Sequence, residues 1–141
     1  MKLLVINGPN LNLLGRREPE IYGREDYETM MERVRAYAVS RGHSCDIFQS
    51  NHEGALVDQI QAAEGRYDGI IINPAAYTHY SIAILDALRA VSVRAVEVHL
   101  SDITKRESYR RVSVTEDGCI AQIAGRGVQG YLDAVELLEK C

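Results

Sequence analysis

The sequence has no excess of positive charge. Among its 141 residues, 16 Lys and Arg stand against 20 Asp and Glu, for a formal net charge of −4. Without a general basic field, nothing holds a polyanion, and nucleic acid is not an expected partner. Cysteine is scarce. Cys45, Cys119 and Cys141 are scattered and odd in number and lack short metal-type spacing, which fits a reduced cytoplasmic protein rather than a disulfide scaffold. No apolar run approaches the roughly 20 residues that span a bilayer. The chain passes from Met1 straight into an apolar strand with no charged-then-apolar leader, so neither export nor a membrane partner is expected. Internal repeats, linkers and low-complexity segments are missing. So are the G-x-G-x-x-G and Walker phosphate loops, and so is an acidic cluster after the first strand of the receiver type.

What is present is an ordinary globular composition, 46% hydrophobic and 26% charged, in a length that implies one domain, residues 1–141. Apolar runs alternate with helix-period segments. Lys2–Ile6, Ser44–Gln49, Gly69–Asn73, Arg94–Val98 and Cys119–Ala124 read as strands. Apolar residues at helical spacing place helices around Tyr27–Ala38, Leu56–Ala63, Ile84–Val91 and Val128–Leu138, with Ser81 a candidate cap and Gly42 a stop. A short charged helix is expected from Ile103 to Arg110. This βα alternation predicts a flavodoxin-like, doubly wound α/β fold with a five-stranded parallel sheet in the order 2-1-3-4-5.

That order has a chemical consequence. Ligands of such sheets bind beyond the carboxyl ends of the strands, at the switch between strands one and three. The segments expected there carry Asn10, Asn73, His79 and His99, drawn from distant parts of the chain. The long loop Asn7–Gly23 emerges at the same edge with three Gly, two Pro, the pair Arg16-Arg17, and Tyr22. Loops of this length in compact domains are lids, binding loops or disorder, and Leu11, Leu13, Leu14 and Ile21 argue against disorder.

Each candidate has two readings. Tyr22 is either a packed ring with a wet hydroxyl or, beside the Arg17 guanidinium, a phenol lowered from its usual pKa of about 10 into the range of a working base. Arg16 and Arg17 read equally as two solvated charges. His99 follows a valine-rich strand and is either a satisfied structural residue or an acid oriented by Glu97 two residues earlier. His79 is a pocket residue or merely the start of its helix. No Cys joins these histidines and their spacing is not a ligand pattern, so no metal is expected. If Ser101 or Asp102 caps the next helix, the backbone N–H groups at Leu100 and Ser101 are either those of a plain cap or donors that take a carboxylate readily, and Asn73 can add another. Arg106 and Arg110, four apart, would share a helical face.

Taken together, these residues resemble a known family. Ile6-Asn-Gly-Pro-Asn-Leu-Asn-Leu-Leu-Gly-Arg-Arg-Glu-Pro19 with Tyr22-Gly23, Gln49-Ser-Asn-His-Glu-Gly54, Asn73-Pro-Ala-Ala-Tyr-Thr-His79 and Glu97-Val-His-Leu-Ser101 match, in order, the motifs of type II 3-dehydroquinate dehydratases of the shikimate pathway. The resemblance covers nearly the whole chain. It implies anti elimination of water from 3-dehydroquinate through an enolate, without metal or cofactor. Tyr22 would remove the C2 proton, and Arg17 would lower the pKa of Tyr22 and close with a lid at about 15–23. His99, held by Glu97, would protonate the departing C1 hydroxyl, and Asn10 would position a water on the enolate oxygen. Asn73 and the backbone of Leu100 and Ser101 would hold the carboxylate, and His79 and Arg110 the ring hydroxyls. Asp86 would reach a neighbouring subunit's site, in trimers assembled into a homododecamer. The sequence departs from the family's usual pattern at Leu85, Asp102 and Arg126, none of them a catalytic position. The competing expectation is a non-catalytic flavodoxin-like module for a small anionic ligand. None of Lys2, Lys105 and Lys140 falls in the expected pocket, which disfavours a Schiff-base route.

Overall fold

The computed structural model describes residues 1–16, 20 and 25–141. Five parallel strands, β1 (Lys2–Asn7), β2 (Ser44–Gln49), β3 (Gly69–Asn73), β4 (Arg94–His99) and β5 (Ala121–Ala124), form one sheet in the order β2-β1-β3-β4-β5. Among the described residues the long helices are α1 (Tyr27–Ser40), α2 (Glu53–Ala62), α3 (Ile82–Ala90) and α4 (Gln129–Glu139). This is the expected doubly wound arrangement.

The period-two geometry of the strands divides the core in two. Leu3, Val5, Ile71, Val96 and Val98 face one side and pack on Met30, Met31, Val34 and Ala38 of α1 and on Tyr131, Ala134, Val135 and Leu138 of α4. Leu4, Ile6, Ile70, Ile72 and Ala95 face the other and pack on Leu56 and Ile60 of α2 and on Ile84, Ala87 and Leu88 of α3. Both faces of β1 and β3 are therefore apolar, which is why these strands read as near-continuous hydrophobic runs, whereas β4 carries Glu97 and His99 beside Ala95 on one face.

Local signals set the helix ends. Asp26 caps α1 by accepting from the Thr29 N–H at 2.8 Å, and Ser81 caps α3 by accepting from the Ile84 N–H at 3.0 Å. Gly42, at φ 86°, ends the turn after α1. The Ser81 hydroxyl also donates to Glu53 at the start of α2, which ties the two helices of one face together.

Three expectations are corrected. Ile103 to Arg110 is not one helix but two 3-10 turns, Ile103–Lys105 and Ser108–Arg110, separated by extended backbone at Arg106 and Glu107. The segment buries only Ile103, and so short a helix without an apolar stripe has no packing to sustain it. Strand five begins at Ala121 rather than Cys119, because Thr115–Gly118 closes a 3-10 turn against α3, where Gly118 leaves no room for a Cβ beside Leu88. In the opening loop, Leu11 and Leu14 are buried, but Leu13 is 38% exposed.

One glycine decides whether the switch point can form. The Gly8 N–H donates to the Asn73 carbonyl at 2.8 Å, which brings the loop after β1 against the loop after β3. A Cβ on Gly8 would lie 2.7 Å from the Pro74 carbonyl carbon and closer still to its oxygen. Both are backbone atoms that cannot rotate away. Gly8→Ala is therefore expected to lower the stability of the fold by about 3 kcal/mol, the upper end of overpacking costs. A urea midpoint unchanged from that of the parent protein would contradict this.

Candidate active site

The pocket lies where the fold requires it, beyond the carboxyl ends of β1, β3 and β4. It is a recess of about 100 Å³. The β1 loop supplies Asn10 and Leu11, and the β3 loop supplies Asn73, Ala75 and His79. The end of β4 supplies His99 and the segment after it Leu100 and Ser101; the two 3-10 turns supply Ile103 and Arg110, and the stretch between them Arg106. Seven of the residues named from the sequence thus meet in one place: Asn10, Asn73, His79, His99, Leu100, Ser101 and Arg110. Glu97 stands directly behind His99. Asp86 does not join them; it sits on the exposed face of α3. Arg17 and Tyr22 lie outside the described residues.

His99 is 5% exposed, and its Nε2 is 2.8 Å from Glu97 Oε2. That bond places the ring hydrogen on Nε2 and leaves Nδ1 as the ring's other nitrogen in a residue that lines the pocket. Glu97 is fully buried in β4 and still ionises, because donors surround it. The Thr115 hydroxyl donates to Oε1. The Ser113 hydroxyl at 2.7 Å and the Gln122 amide at 2.8 Å donate to Oε2. Burial alone pushes this carboxyl up, but the hydrogen bond and charge of His99, with Thr115 and Gln122, outweigh it and hold the group down at about 2. The sign follows from linkage. A carboxyl whose folded value is depressed stabilises the protein fully above its ordinary value of 4.5 and loses that contribution as pH falls toward 2. Denaturation midpoints should therefore drop between pH 4.5 and 2 in the parent protein, and drop less steeply in Glu97→Gln. Equal slopes in the two proteins would remove Glu97 from the account.

His79 differs from His99. Its Nδ1 is 2.8 Å from the Val112 carbonyl, so Nδ1 carries the hydrogen and Nε2 keeps a lone pair. Burial, together with the charges of His99 and Arg110, lowers its pKa below the ordinary value and outweighs the hydrogen bond to Val112. His79 is thus a neutral acceptor suited to a substrate hydroxyl, and it ends the turn Ala75–His79 rather than starting a helix. Arg110 Nε lies 2.9 Å from Glu107 Oε2, but its N–H is not aimed at that oxygen, so the pair is a charge contact without an aligned hydrogen bond. Arg106, which joins Arg110 at the pocket wall, reaches Ser101 Oγ at 3.4 Å. Two guanidiniums on one wall make the recess receptive to an anion.

Asn73 is held from both ends. Its Oδ1 accepts from the Ala75 N–H at 3.0 Å, and its amide donates to the Tyr131 hydroxyl at 3.1 Å. Tyr131, from α4, donates in turn to Asn7 Oδ1 at 2.7 Å, and the Asn7 amide donates to Tyr27 of α1. Burial pushes the Tyr131 phenol up, so it remains a neutral donor. The carbonyls of His99, Leu100 and Ser101 are taken by the N–H groups of Gly125 and Gly127, which fixes the backbone that follows β4. Ala75 holds φ 53°, an unfavourable conformation for a residue with a Cβ, directly at the pocket. Tyr131→Phe removes the bridge between Asn7 and Asn73 and leaves both buried amides short of a partner. The expected loss is about 1–3 kcal/mol of stability, with a raised KM on the expectation that Asn73 holds substrate. An unchanged melting temperature and KM would refute this.

Tyr131, Ser113, Thr115 and Gln122 were not identified from the sequence, whereas the pair Arg106 and Arg110 was, and both line the pocket. Ser113 and Thr115 carry no local signal: Val114 takes helical backbone and Thr115 opens a 3-10 turn, so strand alternation does not place their hydroxyls. Tyr131 is indistinguishable in sequence from any apolar position of α4. Among the described residues no three His, Cys, Asp or Glu side chains gather closely enough to hold a metal ion, and no helix is long and apolar enough to cross a membrane.

Comparison with known proteins agrees with this geometry. The family model described as Dehydroquinase class II matches residues 1–139. The chain is 54% identical over 138 residues to a 3-dehydroquinate dehydratase of Halalkalibacterium halodurans, covering 97% of this chain and 95% of the relative. It is 51% identical over 136 residues to one of Clostridium botulinum, covering 96% and 92%. The crystal structure of a type II dehydroquinase from Butyrivibrio crossotus superposes with a TM-score of 0.97 at 52% identity, over 99% of this chain and 97% of that one. A five-stranded sheet wound 2-1-3-4-5, a polar pocket at its switch point and a family match over 139 residues lead to one assignment: the chain belongs to the class II dehydroquinase family.

Proposed function

We propose that this chain is a type II 3-dehydroquinate dehydratase, a lyase of the shikimate pathway that removes water from 3-dehydroquinate to give 3-dehydroshikimate. The observation that carries the reading is the convergence, in one recess, of an acid–carboxylate pair (His99 and Glu97), a neutral imidazole acceptor (His79), two guanidiniums (Arg106 and Arg110) and the Asn10 and Asn73 side chains. The elimination runs anti, through an enolate. Tyr22 as phenolate takes the C2 proton, with Arg17 beside it on a lid at about 15–23. Asn10 positions a water on the enolate oxygen, and preorganised donors of this kind are what an enolate needs. His99, carrying a proton on each ring nitrogen, delivers the one on Nδ1 to the departing C1 hydroxyl, which leaves as water, while Glu97 holds the Nε2–H. Asn73 and the Leu100–Ser101 backbone hold the carboxylate, and His79 and Arg110 the ring hydroxyls. No metal or cofactor takes part.

The same reading treats residues 1–141 as a single catalytic domain acting in the cytoplasm. It has the protein associate into trimers and a homododecamer, with Asp86 facing a neighbouring subunit's pocket. The exposed Tyr80, Ile82, Tyr109 and Val112 support self-association. The decisive experiment is incubation with 3-dehydroquinate while following the absorbance of the conjugated enone, with and without borohydride. Turnover that borohydride does not inhibit is expected. No turnover would leave a non-catalytic module for a small anion, and inhibition by borohydride would indicate a Schiff base.

A further inference from the structure

Behind the pocket lies a cluster of hydroxyls that the proposed reaction does not name. Thr78, Ser113 and Thr115 surround the inner side of Glu97, and Thr78 and Thr115 are fully buried. Each hydroxyl has one hydrogen to donate. Thr115 and Ser113 direct theirs to the two oxygens of Glu97. Thr78 Oγ1 lies 2.6 Å from Thr115 Oγ1 and 2.8 Å from Ser113 Oγ, so its hydrogen goes to one of them. The Thr78 carbonyl also accepts from the Val114 N–H at 2.8 Å. Thr78 is the residue before His79, and Ser113 follows Val112, whose carbonyl orients His79. The hydroxyls therefore connect the turn carrying His79 to the strand carrying Glu97 and His99.

We infer that Thr115, supported by Thr78 and Ser113, is a positioning residue of the active site: it fixes the rotation of the Glu97 carboxylate, and through it the tautomer and direction of the His99 ring. A carboxylate held from one side only can turn about its own axis. Anchored at Oε1 by Thr115 and at Oε2 by Ser113 and Gln122, it presents a single lone-pair direction to His99 Nε2–H. None of these hydroxyls lines the pocket, so none contacts substrate. Their effect belongs in the proton-transfer step and not in binding. Outer partners of this type typically carry about 10- to 100-fold of activity.

The inference rests on the reading of His99 as the acid, and its test separates the two. Thr115→Val keeps shape and removes the hydroxyl; Thr115→Ser keeps the hydroxyl. The expected result is a fall in kcat of about 10- to 100-fold for Thr115→Val, with KM within about 2-fold, and recovery to within a few-fold of the parent for Thr115→Ser. Nitrogen-15 NMR of the His99 ring, recorded at alkaline pH where the ring is neutral, should show one Nε2–H tautomer in the parent and in Thr115→Ser, and a mixture in Thr115→Val. If Thr115→Val does not fold, Ser113→Ala is measured in the same way. Parent-like kcat and a single tautomer in the hydroxyl-free variant would overturn the inference, as would a Thr115→Ser protein no better than Thr115→Val. If the parent protein does not turn over 3-dehydroquinate, the functional reading fails, and the tautomer signal alone decides whether Thr115 positions the ring.

Discussion

His99→Gln is expected to lower kcat by about 10²–10⁴-fold, the range for loss of a general acid or base, while the protein stays folded and KM changes little. A glutamine amide can still donate to the Glu97 carboxylate but cannot deliver a proton to a leaving hydroxyl. His99→Ala is expected to lose as much activity and to be less stable as well. It strands Glu97, fully buried in β4, without one of its donors. Breaking a buried charged pair from one side costs about 3–5 kcal/mol. Because Ser113, Thr115 and Gln122 still donate to the carboxylate, the low end applies. Single-turnover kinetics and melting temperatures of the two variants separate chemistry from folding. Near-parental kcat in His99→Gln would remove His99 as the acid, and equal stability of the two variants would remove the buried-charge argument.

Tyr22→Phe is expected to abolish measurable turnover, at least about 10³-fold within the range for loss of a base, while substrate affinity is largely retained. The reason lies in matching acidity. A proton beside a ketone is far weaker as an acid than a carboxylic acid, so a phenolate is a better-suited base than Asp or Glu. Among the described lining residues the pocket offers imidazoles, guanidiniums and amides but no carboxylate. His79 is directed by the Val112 carbonyl and kept neutral, which suits it to accept a hydrogen bond. Tyr22 itself lies outside the described residues. Equilibrium binding of a substrate analogue and kcat, measured together, check the prediction. Normal turnover by the phenylalanine variant would end the mechanism.

The elements legible from sequence are those with short-range causes. β3, β2 and the cap of α3 at Ser81 follow from an apolar run, an alternating segment and a hydroxyl three residues before a free N–H. The parallel order, and with it the edge where ligands bind, follows from βα alternation, so the sequence alone places Asn10, Asn73, His79 and His99 together. Glu97 follows from its place two residues before His99, Leu100 and Ser101 from the expected helix start, and Arg110 from its spacing to Arg106; the resemblance of four ordered motifs added the role of each. The expected helix from Ile103 to Arg110 failed because its spacing was read without its packing: charged residues at i and i+4 suggest a helix, but only Ile103 had a core to join.

What tertiary structure alone decided is how the site is held. Tyr131 meets Asn7 across 124 residues of chain, and Gln122 meets Glu97 across 25. No local pattern carries such partnerships, because a hydroxyl or an amide is equally at home in solvent. It becomes part of the site only when the fold buries it beside a group that must be satisfied. By itself, the sequence determined the sheet, its winding and the chemistry gathered at its switch point. The fold decided which side chains keep that chemistry in one orientation: Gly8 by the close approach of two backbones, Tyr131 by bridging two asparagines, and the Thr78, Ser113 and Thr115 hydroxyls by enclosing Glu97, a buried charge that only long-range contacts can stabilise.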